Sequence, residues 1–279
     1  MKKILALLLA LVMVFALAAC GQQAAPAEKP AEEPAAPAEE PAAETPVEEA
    51  PAEEPAEAPA EEAPVEVMSY ADFMAAEVDD PVVIEAYVQA KQAYASDWSN
   101  TSVYLADQDG AYFAYRLACT QEEYDALVPG AKIRVTGFKA EWAGEIEIAE
   151  GCTFELIDGA DTYLVDPVDV TELLGTDALA EHMNQLVTIK GVTVAESEGG
   201  VAFLYNWDGS GEDGSDLYFN VTLGENTYNF TVESDLCPAG SEVYETVKGL
   251  NVGDTIDLVG FLYWYNGPNP HITAVTPAA

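Results

Sequence analysis

Leu127-Val128-Pro129-Gly130-Ala131-Lys132-Ile133-Arg134-Val135-Thr136-Gly137-Phe138 is the stretch whose reading decides the fold. Pro129-Gly130 makes a turn, and Ile133 and Val135 then alternate with Lys132, Arg134 and Thr136 as in a half-buried strand. The pattern returns as Leu250-Asn251-Val252-Gly253-Asp254-Thr255-Ile256-Asp257-Leu258-Val259-Gly260-Phe261, with Leu, Gly, Ile, Gly and Phe at the same spacing. A tryptophan follows each copy, Trp142 and Trp264, and then a glycine, Gly144 and Gly267. Upstream, Val82 to Val88 is echoed by Val187 to Thr193. The chain therefore holds two copies of one module, the second with a longer middle.

Working outward, the first copy predicts strands at Pro81 to Lys91, Thr101 to Ala106 and, after the Asp109-Gly110 turn, Ala111 to Leu117. Thr120-Gln121-Glu122-Glu123 has the form of a capping box opening a short helix to Val128. Strands at Lys132 to Ala140 and Glu145 to Ile148 complete the copy. In the second copy the expected strands are 186–195, 200–206, 216–222, 226–232, 255–265 and 270–276, with a helix at 241–249. A short helix at Ser69 to Val78, with Ser69 as cap and Asp72 three residues on, precedes the first copy; helical stretches within 169–184 precede the second. Three strands, a helix and two strands is the order of an OB-fold barrel. The expected class is all-β: two tandem five-stranded OB-fold-like barrels, over 67–160 and 161–279, with a β-sandwich as the alternative. The fourth-strand pattern resembles that of secreted bacterial OB-fold proteins. The order ahead of it resembles tandem OB-fold surface lipoproteins of Gram-positive anaerobes.

Lys2 and Lys3 open the chain, Ile4 to Ala19 carry no polar side chain, and the run ends at Leu17-Ala18-Ala19-Cys20. This is a secretory signal over 1–19, and it stops short of the roughly 20 apolar residues of a spanning helix. Its last four residues resemble the lipobox of bacterial lipoproteins. The resemblance implies a diacylglyceryl group on Cys20, a lipid anchor in the membrane and a place on the extracellular face of the cell. From Cys20 to Glu66 the chain is nearly all Ala, Pro and Glu. Recurrent proline prevents helix formation and mutual repulsion keeps the glutamates apart, so an extended acidic linker is expected.

Fifty Asp and Glu face ten Lys and Arg, a net charge of −40. Three of the ten, Lys2, Lys3 and Lys29, precede the modules. Phosphate backbones are bound through Lys and Arg, so nucleic acid is disfavoured as a partner. Two histidines, His182 and His271, and the lack of a G-x-S-x-G context leave no recognisable catalytic set; the expectation is a protein that binds and does not catalyse. Besides Cys20 there are Cys119, Cys152 and Cys237. Either Cys119 and Cys152 form a disulfide within the first module or all three are buried thiols. No C-x-x-C supports zinc, and no cofactor is expected. One loop has Ca²⁺-type oxygen ligands at Asp208, Ser210, Asp213 and Asp216 between glycines, but without the EF-hand order; the alternative is a solvated hairpin connection.

OB-folds bind on strands 2 and 3, between the loops joining strands 1–2 and 4–5. That places Trp98 beside Tyr94 in the first module's 1–2 loop, Trp142 in its 4–5 loop, and Tyr112 and Tyr115 on strand 3, with Phe113 turned into the core. In the second module it places Tyr205 and Trp207 at the 2–3 connection, Tyr218 on strand 3, and Trp264 and Tyr265 in the 4–5 loop. Aromatics beside Asp, Asn and Glu suit a glycan or cell-wall polymer, whose sugar rings stack on one face and hydrogen-bond at the rim. They equally suit a partner in an envelope protein complex, or single-stranded nucleic acid through base stacking. Some will instead be packing residues of strands.

Overall fold

The computed structural model describes residues 66–278. The signal segment, the lipobox with Cys20 and nearly all of the acidic linker lie outside the described residues. In the first module, β1 (Pro81–Lys91), β2 (Asn100–Ala106), β3 (Ala111–Ala118), β4 (Lys132–Trp142) and β5 (Glu145–Ile148) form a sheet in the order β1-β2-β3-β5-β4. Pairing of β1 with β4 closes it into a barrel, and the parallel β3–β5 contact lies opposite. A further short strand, β6 (Thr153–Leu156), pairs with the first half of β4.

The second module repeats this ring. Its strands are β8 (Leu186–Ala195), β10 (Leu217–Leu223), β11 (Asn226–Val232), β12 (Thr255–Phe261) and β13 (His271–Pro277). They close as β8-β12-β13-β11-β10, with β10 back on β8. Two short strands decorate it: β7 (Val168–Asp169) on β8, and β9 (Phe203–Tyr205) on β10. Two closed five-stranded barrels with OB-fold strand order are what the repeat predicts, and closure excludes the sandwich.

The repeat has a physical basis. Gly130 and Gly253 adopt φ of 86° and 95°, and their amides donate to Val88 O (2.7 Å) and Val194 O (2.9 Å), locking the turn before the fourth strand onto the first. Gly137 and Gly260 sit where a Cβ would collide with the neighbouring chain: Cys152 and Ile148 in one barrel, the backbone of His271 in the other.

Two short helices belong to the first module. α1 (Tyr70–Ala75) is capped by Ser69 Oγ, which accepts from Asp72 N at 3.2 Å, and buries Phe73. It stops short of the expected Val78 because the Lys139 ammonium donates to Met74 O and Ala76 O, 2.8 Å each, terminating its carbonyls. α2 (Gln121–Ala126) has the full capping box, Glu123 N to Thr120 Oγ1 and Thr120 N to Glu123 Oε2. α3 (Glu242–Lys248) is its counterpart. The expected helical stretches within 169–184 are two 3-10 turns, Thr171–Leu173 and Asp177–His182.

Both barrels belong to one compact unit. Each has its own apolar core, and a third cluster of Tyr104, Phe113 and Phe261 joins them. Tyr104 stacks on Phe261 with centroids 4.2 Å apart and planes 10° apart.

Candidate binding cleft between the barrels

Strand parity explains how the cleft arises. On β3, Tyr112 points inward, fully buried against Tyr70 and Phe73, and its hydroxyl donates to Asp107 Oδ2 at 2.9 Å. Phe113 points outward, but the second barrel covers it. This reverses the expectation: Tyr112 is core and not a surface platform. Tyr115, two residues on, shares the Phe113 face and reaches a cavity of about 420 Å³ at the junction of the barrels.

The first barrel contributes Trp98 from the β1–β2 connection, Asn100 and Ser102 from β2, and Tyr115 and Arg116 from β3. The second contributes Tyr218 from β10, Glu233 and Asp235 beyond β11, and Tyr263, Tyr265 and Asn269 from the β12–β13 connection. The cleft thus combines the strand 2–3 face of one barrel with the 4–5 loop of the other.

Inter-barrel hydrogen bonds fix its shape. Gln92 Nε2 donates to Glu233 Oε1 at 2.6 Å, Ala93 N to Asp235 O at 2.6 Å, and Asn266 N to Ala143 O at 2.7 Å. Beneath them, Tyr104 Oη lies 2.8 Å from His271 Nδ1, and Glu233 Oε2 lies 3.1 Å from the same nitrogen. Burial raises the Glu233 carboxyl, but its bond and charge contact to His271 and the Gln92 amide win and hold it below the usual range. Burial, with Glu233 and Asp216 nearby, raises Asp235. The cleft is therefore rimmed by aromatics and floored by carboxylates and amides, with Arg116 as its Lys or Arg contribution.

Exposure sorts the other aromatics. Trp98 and Trp207 are 74% and 76% exposed. Trp142 and Tyr265 are about half exposed and pack on each other, centroids 5.1 Å apart. Trp264 is not free: it packs against the second core, and its indole leaves no room for a side chain at Gly144. Tyr218 lies on β10, the barrel's second strand and not its third, because the long middle of the second module adds β9 ahead of it. Tyr205 and Trp207 accordingly sit in the extended connection between the first two barrel strands. The sequence reading missed Tyr263, Asn269, Glu233 and His271, since only docking of the barrels brings them to the β2–β3 face.

The four candidate Ca²⁺ ligands make separate contacts. Asp208 accepts from Ser210 N, Asp213 binds Lys248 Nζ at 2.8 Å, and Asp216 Oδ1 accepts from Ser234 N and Oγ. Each carboxylate is occupied by a different partner. Among the described residues no group of three or more His, Cys, Asp or Glu is arranged to hold a metal. Cys119, Cys152 and Cys237 are buried free thiols. Cys152 faces the first barrel's core, which Cys119 does not join, so the alternative of separate thiols holds and the Cys119–Cys152 bridge does not.

No family model and no curated protein matches the chain. Among solved structures it is similar to the Ifi202 HINa domain in complex with 20-bp double-stranded DNA, at 12% identity and TM-score 0.33, covering 72% of this chain and 98% of that one. It is also similar to the p204 HINb domain, at 10% identity and TM-score 0.33, covering 71% and 98%. A replication protein A heterotrimer bound to single-stranded DNA matches at 15% identity and TM-score 0.29, covering 70% and 49%. At these identities and scores the chemistry of the cleft rests on this chain's own residues.

Proposed function

We propose that this chain is a non-catalytic binding protein that holds a glycan or cell-wall polymer in the cleft between its barrels, anchored at the membrane's outer face through a lipidated Cys20. The observation that carries the reading is the cleft itself: Trp98, Tyr218 and Tyr265 offer stacking surfaces, and Asn100, Asn269 and Asp216 offer rim hydrogen bonds. Sugars need both, since one ring face is apolar and the edge is all hydroxyl. The interlocked barrels hold these groups in place before a ligand arrives, which lowers the ordering cost of binding.

A second reading is single-stranded nucleic acid on the OB-fold face, through stacking worth about 1–3 kcal/mol per base. The electrostatics separate the two. With Arg116 as the cleft's only Lys or Arg among the described residues, single-strand binding has about one phosphate contact to draw on, a slope near −0.7 in log K against log salt. Glycan binding is flat in salt.

Thermal unfolding of the detergent-solubilised full chain is the test, run against xylo-, cello- and chito-oligosaccharides, peptidoglycan fragments and single-stranded DNA. A ligand at 100 times its Kd stabilises by about 2.7 kcal/mol. A raised midpoint with a saccharide, lost in Trp98→Ala/Tyr265→Ala, supports the reading. A response to DNA alone, with that salt slope, replaces it with the second. A flat panel with one envelope protein co-purifying assigns the aromatics to a protein interface. For the anchor, globomycin-sensitive processing and membrane release on Cys20→Ser are expected; processing unchanged in Cys20→Ser rejects lipidation.

A further inference from the structure

We infer that the ligand is a linear, uncharged chain that runs out of the inter-barrel cleft across the second barrel to Trp207, occupying two contiguous subsites. This deepens the glycan reading and rests on it. A second cavity, about 640 Å³, adjoins the first. Tyr218, Tyr265 and Asn269 line both, so the two cavities meet at these residues, and the inferred groove runs past them. Pockets for single small ligands run to roughly 300–1,000 Å³, so either cavity alone takes a short ligand. A groove joining both is built for a longer one.

The two halves differ chemically. The first holds Asp216, Glu233, Asp235 and Arg116. The second is lined by Trp207, Tyr218, Asn229, Tyr265, Pro268 and Asn269, none of them charged. A phosphodiester chain entering it would bring anions to a wall without a cation. A neutral glycan brings ring faces to Trp207 and Tyr265 and hydroxyls to the amides of Asn229 and Asn269.

Trp207 is presented by a purposeful turn. Asn206 takes φ of 58°, a left-handed conformation that Asn tolerates better than most residues. Its amide donates to Asp216 O at 2.9 Å, while Gly209 N returns to Asn206 O at 3.3 Å. A Cβ at Gly211 would strike the Asn206 side chain, so glycine there keeps the turn closed. The outcome is a large indole held 76% exposed at the far end of the groove.

Titration calorimetry of the full chain with a ladder from monosaccharide to hexasaccharide tests this, using whichever xylan, cellulose or chitin series binds. Affinity is expected to climb along the ladder. Trp207→Ala should weaken the hexasaccharide about tenfold and leave the disaccharide unchanged, whereas Trp98→Ala should weaken both. Equal affinity for short and long members, or a Trp207→Ala variant that binds the hexasaccharide as wild type, overturns the two-subsite groove while the cleft reading stands. No binding by any of these series or by peptidoglycan fragments overturns both. Trp207 carries so little buried contact that the variant folds normally, and an unchanged unfolding midpoint verifies it.

Discussion

Tyr112 and Tyr265 divide two roles that aromatic content alone cannot tell apart. The Tyr112 ring is buried and its hydroxyl is tied to Asp107, so Tyr112→Phe is expected to lower stability by about 1 kcal/mol and leave ligand affinity untouched. Tyr265 stands half exposed on the groove wall. Tyr265→Ala should change stability by no more than about 0.5 kcal/mol and weaken binding by about 2 kcal/mol. Denaturant titration and calorimetry on both variants check the pair; an affinity loss in Tyr112→Phe would contradict the buried assignment. Alternation along Ala111 to Leu117 was legible as a strand, but its parity was not. Tyr112 and Phe113 are both large and aromatic, and both faces of β3 are covered, one by the core and one by the other barrel. Period-2 logic needs a wet face, and this strand has none over those residues.

At the scale of elements, the repeat was the readable part, since backbone constraints forced the same residues twice. The equivalence ends at its last position. Phe138 is 56% exposed, while Phe261 is 3% exposed beneath Tyr104. Phe138→Ala should therefore cost within about 0.5 kcal/mol, and Phe261→Ala about 3–5 kcal/mol; equal costs, read by urea unfolding, would reject the interface stack. The paired glycines diverge as well. A methyl group at Gly137 meets Cys152 Cβ at 2.7 Å and Ile148 Cγ2 at 2.8 Å, whereas at Gly260 it runs closer still into the His271 backbone carbonyl. Gly260→Ala is expected to cost about 3 kcal/mol or more and Gly137→Ala less, about 1–3 kcal/mol. The short strands β6 and β7 left no clear periodic signal because two to four residues hold at most two alternations, and β9 was legible within 200–206 but as a strand of the barrel itself. Missing β9 as an extra edge moved Tyr218 by one strand.

At the scale of the molecule, the docking of the barrels was invisible in the sequence. Glu145-Ile146-Glu147-Ile148 reads as a strand with an acidic, solvated face, yet both glutamates are buried at 0% and 6% exposure. Glu145 spans the junction: Oε2 accepts from Trp264 N at 2.8 Å. Asn184 of the second barrel, in return, donates to Ile146 O at 3.0 Å. Burial pushes Glu145 up to about 8, with Glu147 adding to it against the pull of Asn184 and the Trp264 amide. Burial pushes Glu147 up to about 7. Burial chiefly raises Tyr104 and Tyr263 as well; Glu145 adds to both, and Glu147 to Tyr263. Glu145 Oε1 is buried without a hydrogen-bond partner, which adds to the cost of ionising this carboxyl. Since the folded state holds these protons more tightly than the unfolded chain, their contribution is fully present below about pH 4.5 and fades as pH rises to about 8. For Glu145 alone it amounts to about 5 kcal/mol at most. The chain should therefore lose stability steadily from pH 5 to pH 8, the barrels parting more readily at the alkaline end. Glu145→Gln keeps the size and hydrogen-bonding capacity without the charge. It should be more stable than wild type at pH 8, match it near pH 5, and flatten the profile between. Urea unfolding at both pH values, read by circular dichroism and tryptophan fluorescence, decides this, and a Gln variant less stable than wild type at pH 8 would show that Glu145 is held there as a carboxylate.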